Sequence, residues 1–411
     1  MKPTAAKERI VLLDVLRGFA VFGMFTVNMT ADIWWGDTFR ETDLALPDFV
    51  ALVLVDLFTN GKFITIFSFL YGIGFFVQME RVNARGANAT AFYARKSAGL
   101  LIIGVTAMAC TIPSWILIDY SIFGLGLLLF RNRSPRTILI AAITLILLAK
   151  VFGSIIPDYR EHLENTVVEQ TKSGAAQSTT PMQKSEDTMP GDGDFLQVSS
   201  YMLLNVWEAY SSWQFYAGKL RLLGIMLLGL YVARLGAVWD SQIRRSLARK
   251  TLPWLISMGF SGCLVWIVMA DFDVGDKTSV FHLIIRKLAA WPIGMPLLGL
   301  GYAAAIALLF ERPWWRKWLA PFSAVGRTAL TNYLFTGLVA AFISFSWGLG
   351  LYGKISVWQG LLLVLMIFPI QMLASQWWMA RYNFGPVEWL WRSFTYGKLQ
   401  PMDRIKVRYD K

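Results

Sequence analysis

The stretch IVLLDVLRGFAVFGMFTVNM, residues 10–29, is apolar almost throughout and is interrupted by Asp14, Arg17 and Asn28. Twenty or so such residues, wound as a helix, cover a hydrocarbon core of about 30 Å. Lys2, Lys7 and Arg9 precede it, as they would precede a signal peptide. Bulky Trp34 and Trp35 follow it where a small-residue cleavage site would stand, so it reads as a retained first helix.

The rest of the chain repeats the pattern. Of 411 residues 55% are hydrophobic and 16% charged, with a mean hydropathy of +0.48. A soluble chain is about a quarter charged. In lipid the backbone must satisfy its own polar groups, so apolar runs of this length are helices. They are too long and too uniform for the short alternating strands of a membrane barrel. The sequence therefore predicts an all-α, polytopic transmembrane helical bundle with about ten transmembrane helices. The expected spans are 10–29, 49–79, 97–112, 115–130, 137–156, 214–234, 251–270, 288–310, 328–347 and 357–379. The second is too long for one straight crossing. Asn60-Gly61-Lys62 breaks it into an interfacial piece, 49–58, and a crossing, 63–79.

The net charge of +12 would suggest nucleic acid on a soluble domain. Here the basic residues sit between apolar runs and favour alternate segments by about three to one, which puts both termini on the cytoplasmic side. The expected partners are membrane lipids, not nucleic acid, and a homo-oligomer is compatible with the sequence. The whole chain, 1–411, reads as one integral membrane domain. It carries an extracytoplasmic acidic loop at 157–195 and a cytoplasmic tail at 380–411. Between loop and next span, 196–213 is aromatic and mixed, which suits an interfacial amphipathic helix or re-entrant piece.

Ionisable groups within spans face a partner or a wet cavity. Asp14 and Arg17 are neighbours at i,i+3, and Asn28 falls within about 20° of Arg17 on the same helical stripe. The stripe is either the wall of a cleft, with Arg17 gripping a phosphate or carboxylate, or a structural ion pair. Asp119 lies near the outer end of the fourth span, as a site residue or an interfacial anchor. Lys150, Lys219 and Arg221 read as snorkelling cations. In the ninth span Thr328 and Asn332 share one face and Ala329 and Tyr333 the next, as a site or as helix-packing glue. The tail carries Glu388 and Arg392 at i,i+4 on a short helix starting at Pro386. His162 and His282 are the two histidines, and His282 lies just before the eighth span. Cys110 and Cys263 both fall inside spans, which supports neither a disulfide framework nor a metal site. No metal is expected.

Three motifs occur in order: Leu13-Asp14-Val15-Leu16-Arg17-Gly18 with Asn28, Gly326-Arg327-Thr328-Ala329-Leu330-Thr331-Asn332-Tyr333-Leu334, and Phe384-Gly385-Pro386-Val387-Glu388-Trp389-Leu390-Trp391-Arg392 with Thr395-Tyr396-Gly397. Together they resemble the YeiB-like family of bacterial inner-membrane proteins, a domain of unknown function, over nearly the whole chain. The opening is also similar to that of heparan-α-glucosaminide N-acetyltransferase-like transmembrane acyltransferases. That resemblance implies transfer of an acyl group from cytoplasmic acyl-CoA or acetyl-CoA to a small-molecule, glycan or lipid acceptor. Asp14, Arg17 and Asn28 would then stand near the donor, with Asn332, Tyr333, Glu388, Arg392 and Tyr396 around it. Those acetyltransferases use a membrane-embedded His, and no His lies in any span here. Asp119 and His282 are the groups left to act as base, beside Asp14. A transporter or lipid flippase using the same polar cavity is the alternative.

Overall fold

The computed structural model describes residues 10–30, 45–150, 152, 193–270 and 294–403. Among them the chain is helical, and the sole β pairing is an isolated antiparallel bridge between Tyr382 and Asp403. The helices are α1 (Val11–Thr30), α2 (Leu46–Phe58), α3 (Lys62–Asn83), α4 (Ala89–Ala109), α5 (Trp115–Phe130), α6 (Pro135–Lys150) and α7 (Phe195–Ser211), followed by α8 (Trp213–Arg234), α9 (Ser241–Ala270), α10 (Met295–Leu309), α11 (Pro313–Arg327), α12 (Ala329–Ser344), α13 (Val357–Arg381) and α14 (Pro386–Tyr396). Among the described residues five stretches are long and apolar enough to cross a membrane: Val11–Thr30, Leu46–Asn83, Phe215–Arg234, Ser241–Val268 and Val357–Arg381. Shorter apolar helices accompany them at Trp115–Phe130, Pro135–Ala149, Met295–Leu309 and Ala329–Ser344. This is the composition of a helical membrane protein.

The expected break in the second span is present. Gly61 takes φ +73°, a left-handed conformation that costs glycine little. Thr59 and Asn60 both donate backbone N–H groups to the Val55 carbonyl, which closes α2. Asn60 Nδ2 donates to Asp56 Oδ1 at 3.0 Å, and the buried Lys62 ammonium donates to the Asp56 carbonyl. Hydrogen bonds thus take up the backbone groups freed at the break, as a helix interruption among apolar helices requires.

Elsewhere the helices run past the expected spans. α4 starts at Ala89 instead of 97, because the Asn88 side chain caps it by accepting from Ala91 N at 3.0 Å. α9 begins at Ser241 and carries Pro253 within it. The segment left between the eighth and ninth spans is itself a helix, α11. Pro313 sits at its first turn, Trp314 and Trp318 are exposed, and Ala324, Val325 and Gly326 are buried. α7 is the expected amphipathic helix: a capping box of Asp194 and Gln197 starts it, Val198 and Met202 are buried, and Leu196, Leu204 and Trp207 are exposed. The acidic loop lies outside the described residues up to residue 192.

Two backbone-to-backbone crossings hold the bundle. A Cβ on Gly18 of α1 would meet the Phe322 carbonyl oxygen at 2.0 Å, and one on Gly326 of α11 would meet that of Asp14 at 1.7 Å. The same reciprocity joins α3 to α8: a Cβ on Gly72 would meet the Met226 carbonyl oxygen at 1.8 Å, and one on Gly229 that of Phe69 at 2.0 Å. Small residues at such points let helices approach where lipid offers no hydrophobic drive. Around these crossings α8 lies against α3 and α6, α9 against α10, α4 against α5, and α1 against α3, α12 and α13.

Gly326→Val and Gly229→Leu are expected to cost at least about 3 kcal/mol each, since neither carbonyl can move without its helix. Thermal unfolding of the detergent-purified variants checks this; an unchanged Tm would refute the crossing geometry.

Candidate functional site

One cavity of about 310 Å³ opens at the end of the bundle where α1 begins. That volume is at the lower end of ligand clefts. Asp14 and Arg17 of α1 line one side. The face of α3 from Phe67 through Tyr71, Gly74 and Gln78 to Arg81 lines another, a length of roughly 21 Å at helical rise. Phe92, Lys96 and Leu100 of α4, Ile116, Leu117 and Tyr120 of α5, and Ala329, Leu330 and Tyr333 of α12 complete the walls. α14 closes the cavity with Glu388, Trp391, Arg392 and Tyr396.

Polarity changes along its length. Arg81, Arg85, Arg327, Arg392, Arg17 and Lys96 line the part nearest the α1 N-terminus and the α3 C-terminus, against the carboxylates of Asp14 and Glu388. The far part is lined by Phe67, Leu70, Leu100, Ile116 and Leu117. Tyr120 and Tyr333 stand at that far end: Tyr120 OH lies 2.9 Å from Ser68 Oγ, and Tyr333 OH donates to the Pro113 carbonyl at 3.2 Å. Tyr120 thus ties α5 to α3, and Tyr333 ties α12 to the α4–α5 turn.

The two carboxylates are engaged. Asp14 Oδ1 accepts from Arg17 Nη1 at 3.0 Å, and the Arg17 guanidinium reaches over Gly74, where a Cβ would stand 3.8 Å from Nη2. Glu388 caps the start of α12 from another helix. Its Oε1 accepts from Leu330 N at 2.6 Å and Thr331 N at 3.1 Å, and its Oε2 accepts from Thr331 Oγ1 at 2.5 Å. Gly385 leaves room for this, since a Cβ there would fall 2.2 Å from Oε2. Burial pushes the Glu388 carboxyl above its ordinary pKa, and the hydrogen bonds from Thr331 and Leu330 pull it partly back. The i,i+4 geometry with Arg392 is present, but the hydrogen bonds of Glu388 run to α12. Arg392 lies over the Phe384 ring at 4.9 Å.

Lys96 is the residue that sequence reading passed over. It is 5% exposed, with its ammonium 4.5 Å from the Tyr71 ring centroid, 4.6 Å from Tyr93 and 5.6 Å from Trp391. The Trp391 indole donates to the Lys96 carbonyl at 2.9 Å, and Gly99 gives the tail aromatics space to dock on α4. The Asn88 cap was the available signal: it starts α4 early enough to set Lys96 two turns inside a helix, on one stripe with Phe92 and Leu100.

Three predicted residues stand elsewhere. Asn28 is at the opposite end of α1, with a buried Nδ2 that has no hydrogen-bond partner. The stripe shared with Arg17 was right in angle, but eleven residues carry Asn28 about 16 Å along the axis, past the cavity. Asn332 bonds Thr328 Oγ1 at 2.8 Å and Ser375 Oγ at 3.0 Å, and its carbonyl accepts from Gln371 at 3.1 Å. It joins α12 to α13 and does not line the cavity. Asp119 is fully buried, paired with Lys219 Nζ at 2.7 Å and accepting from Tyr210 OH at 2.7 Å. Lys219, expected to snorkel, is held by that carboxylate. His282 lies outside the described residues, as do His162 and the side chain of Lys150.

These features define a helical membrane protein with an amphiphilic cavity formed by its first, ninth-span and tail motifs. A family model described as a protein of unknown function, DUF418, matches residues 232–398. The uncharacterized protein YxaH of Bacillus subtilis is 30% identical over 98% of both chains. An uncharacterized 39.9 kDa protein of Bacillus acidopullulyticus is 26% identical over 98% of both. The uncharacterized protein YeiB of Escherichia coli is 24% identical over 94% of this chain and 96% of its own. The chain belongs to this YeiB-like, DUF418 family. No solved structure matches it.

Glu388→Ala removes charge-assisted bonds to two backbone donors and one hydroxyl, an expected loss of about 2–3 kcal/mol in α14 docking. Hydrogen exchange should show residues 386–396 exchanging faster while α3 and α8 stay protected; equal protection in variant and parent would refute the staple.

Proposed function

We propose that the chain is an acyl-CoA-dependent acyltransferase of a bacterial inner membrane, with both termini in the cytoplasm. The polarity gradient of this cavity carries the reading. A cluster of guanidinium and ammonium groups suits the phosphates of a CoA moiety, and the apolar far end suits the acyl chain they deliver. The arrangement of basic residues along the sequence turns the cationic mouth toward the compartment where acyl-CoA is made.

In such a reaction the acceptor's oxygen or nitrogen forms a bond to the thioester carbonyl carbon, the C–S bond breaks, and CoA leaves as the thiolate. The acceptor's proton must pass to a base. Asp119 is proposed for it: it adjoins the cavity-lining Tyr120 in sequence and meets Tyr210 of the amphipathic α7. Its pairing with Lys219 at 2.7 Å holds the carboxylate in place. The acceptor would then approach from the α7 side, opposite the donor.

A transporter or lipid flippase is the second reading. It is favoured by the engagement of both cavity carboxylates and by the broken helix at Gly61, since interrupted helices recur in transporters.

Nanodisc-embedded protein should bind an acyl-CoA, and Arg17→Ala should weaken that binding at least about tenfold, the worth of one lost charge-assisted pair. No acyl-CoA binding by the parent would end the first reading. Movement of a lipid or solute in proteoliposomes without acyl-CoA turnover would establish the second.

A further inference from the structure

Lys96 presents an electrostatic imbalance. A buried ammonium is normally paired with a carboxylate, because removing the charge from water is expensive. Among the described residues none pairs with Lys96; ring faces of Tyr71, Tyr93 and Trp391 surround it. Aromatic faces compensate a desolvated cation only in part. Arg17 and Arg392, which line the same cavity, add like charge to its surroundings. Three cations therefore converge on one stretch of cavity wall beside the carboxylate of Asp14.

We propose that Lys96 is the built-in counter-charge for a phosphoryl group on the cavity's ligand, bound with Arg17 and Arg392 alongside. A phosphoryl group suits the position because guanidinium forks match its oxygens and its several oxygens can meet an ammonium and a guanidinium together. Position narrows the ligand further. Lys96 lies between Phe92 and Leu100 on α4, inward of Arg81 and Arg85. The phosphoryl group must then be carried past the mouth, at the junction of a polar head and an apolar tail. A pyrophosphate linkage in an acyl-CoA and the phosphate of a single-chain lipid both have that shape. This inference rests on the amphiphile reading of the cavity, and its test separates the two sources.

The full chain, in nanodiscs of phosphatidylcholine, is titrated with palmitoyl-CoA, with S-palmitoyl-pantetheine, which lacks phosphates, and with lysophosphatidate. Lys96→Gln is expected to weaken the phosphorylated probes at least about tenfold. Lys96→Arg, which keeps the charge, should retain them, and any binding of the pantetheine thioester should be unchanged. A folded Lys96→Gln chain that binds phosphorylated probes like the parent overturns the proposal and leaves the acyl-CoA reading standing. Lysophosphatidate binding without acyl-CoA binding, with the same Lys96 dependence, supports the proposal and removes that reading. If the parent binds neither phosphorylated probe, both fall. Should Lys96→Gln fail to fold, amine-reactive labelling of the parent decides: a bound phosphorylated probe should protect Lys96, and equal labelling with and without it overturns the proposal.

Discussion

The crossing of α1 and α11 at Gly18 and Gly326 is the constraint on which the rest of the site depends. Each glycine faces the other helix's carbonyl oxygen at a distance no side chain could occupy. That contact fixes the start of α12 relative to Asp14 and Arg17, because α12 begins two residues after α11 ends. Glu388 then binds the first backbone donors of α12 and brings α14 with it. The aromatic face of α14 reaches Gly99 and Lys96 on α4. Five helices, α1, α4, α11, α12 and α14, are thereby locked one to the next by short contacts, and the cavity is the space they help enclose.

The chemistry of that space follows from what the contacts consume. Hydrogen-bonding capacity is spent on architecture: Glu388 on a helix end, Asn332 on α13, Tyr120 on α3 and Tyr333 on the α4–α5 turn. What remains facing inward is mostly cationic or apolar. A space of that composition presents charge and shape, and Asp119 lies outside its walls, bonded to Lys219 and Tyr210.

Much of the helical architecture was legible in residue order, since apolar runs of membrane length admit one backbone solution. Gly61 and the tail helix at Pro386 stood out because glycine and proline announce backbone geometry directly. Of the predicted site residues, Asp14, Arg17, Tyr333, Glu388, Arg392 and Tyr396 line the cavity together. Asn28 and Asn332 do not, because periodicity on one helix says which side a residue takes but not which neighbour is there, nor at what depth. Lys96 was hidden for a related reason. As a basic residue near a span boundary it was counted toward orientation, and its aromatic surroundings come from three separate segments: Tyr71, Tyr93 and Trp391. α11 was obscured by its Trp and Arg content, which resembles a polar connection until its buried Ala324-Val325-Gly326 edge is seen against α1.

The tail helix also carries a consequence for biogenesis. The first wall of the cavity is laid down at Asp14 and the last at Tyr396, so nearly the whole chain must leave the ribosome before the chamber closes. Synthesis runs from the N-terminus, and until α14 arrives the ring-lined seat of Lys96 lacks Trp391 and the first turn of α12 lacks its Glu388 acceptor. A nascent chain halted before Pro386 would sit in the bilayer with its helices inserted and its chamber open on one side. The chamber is thereby enclosed only after α14 has been made and docked.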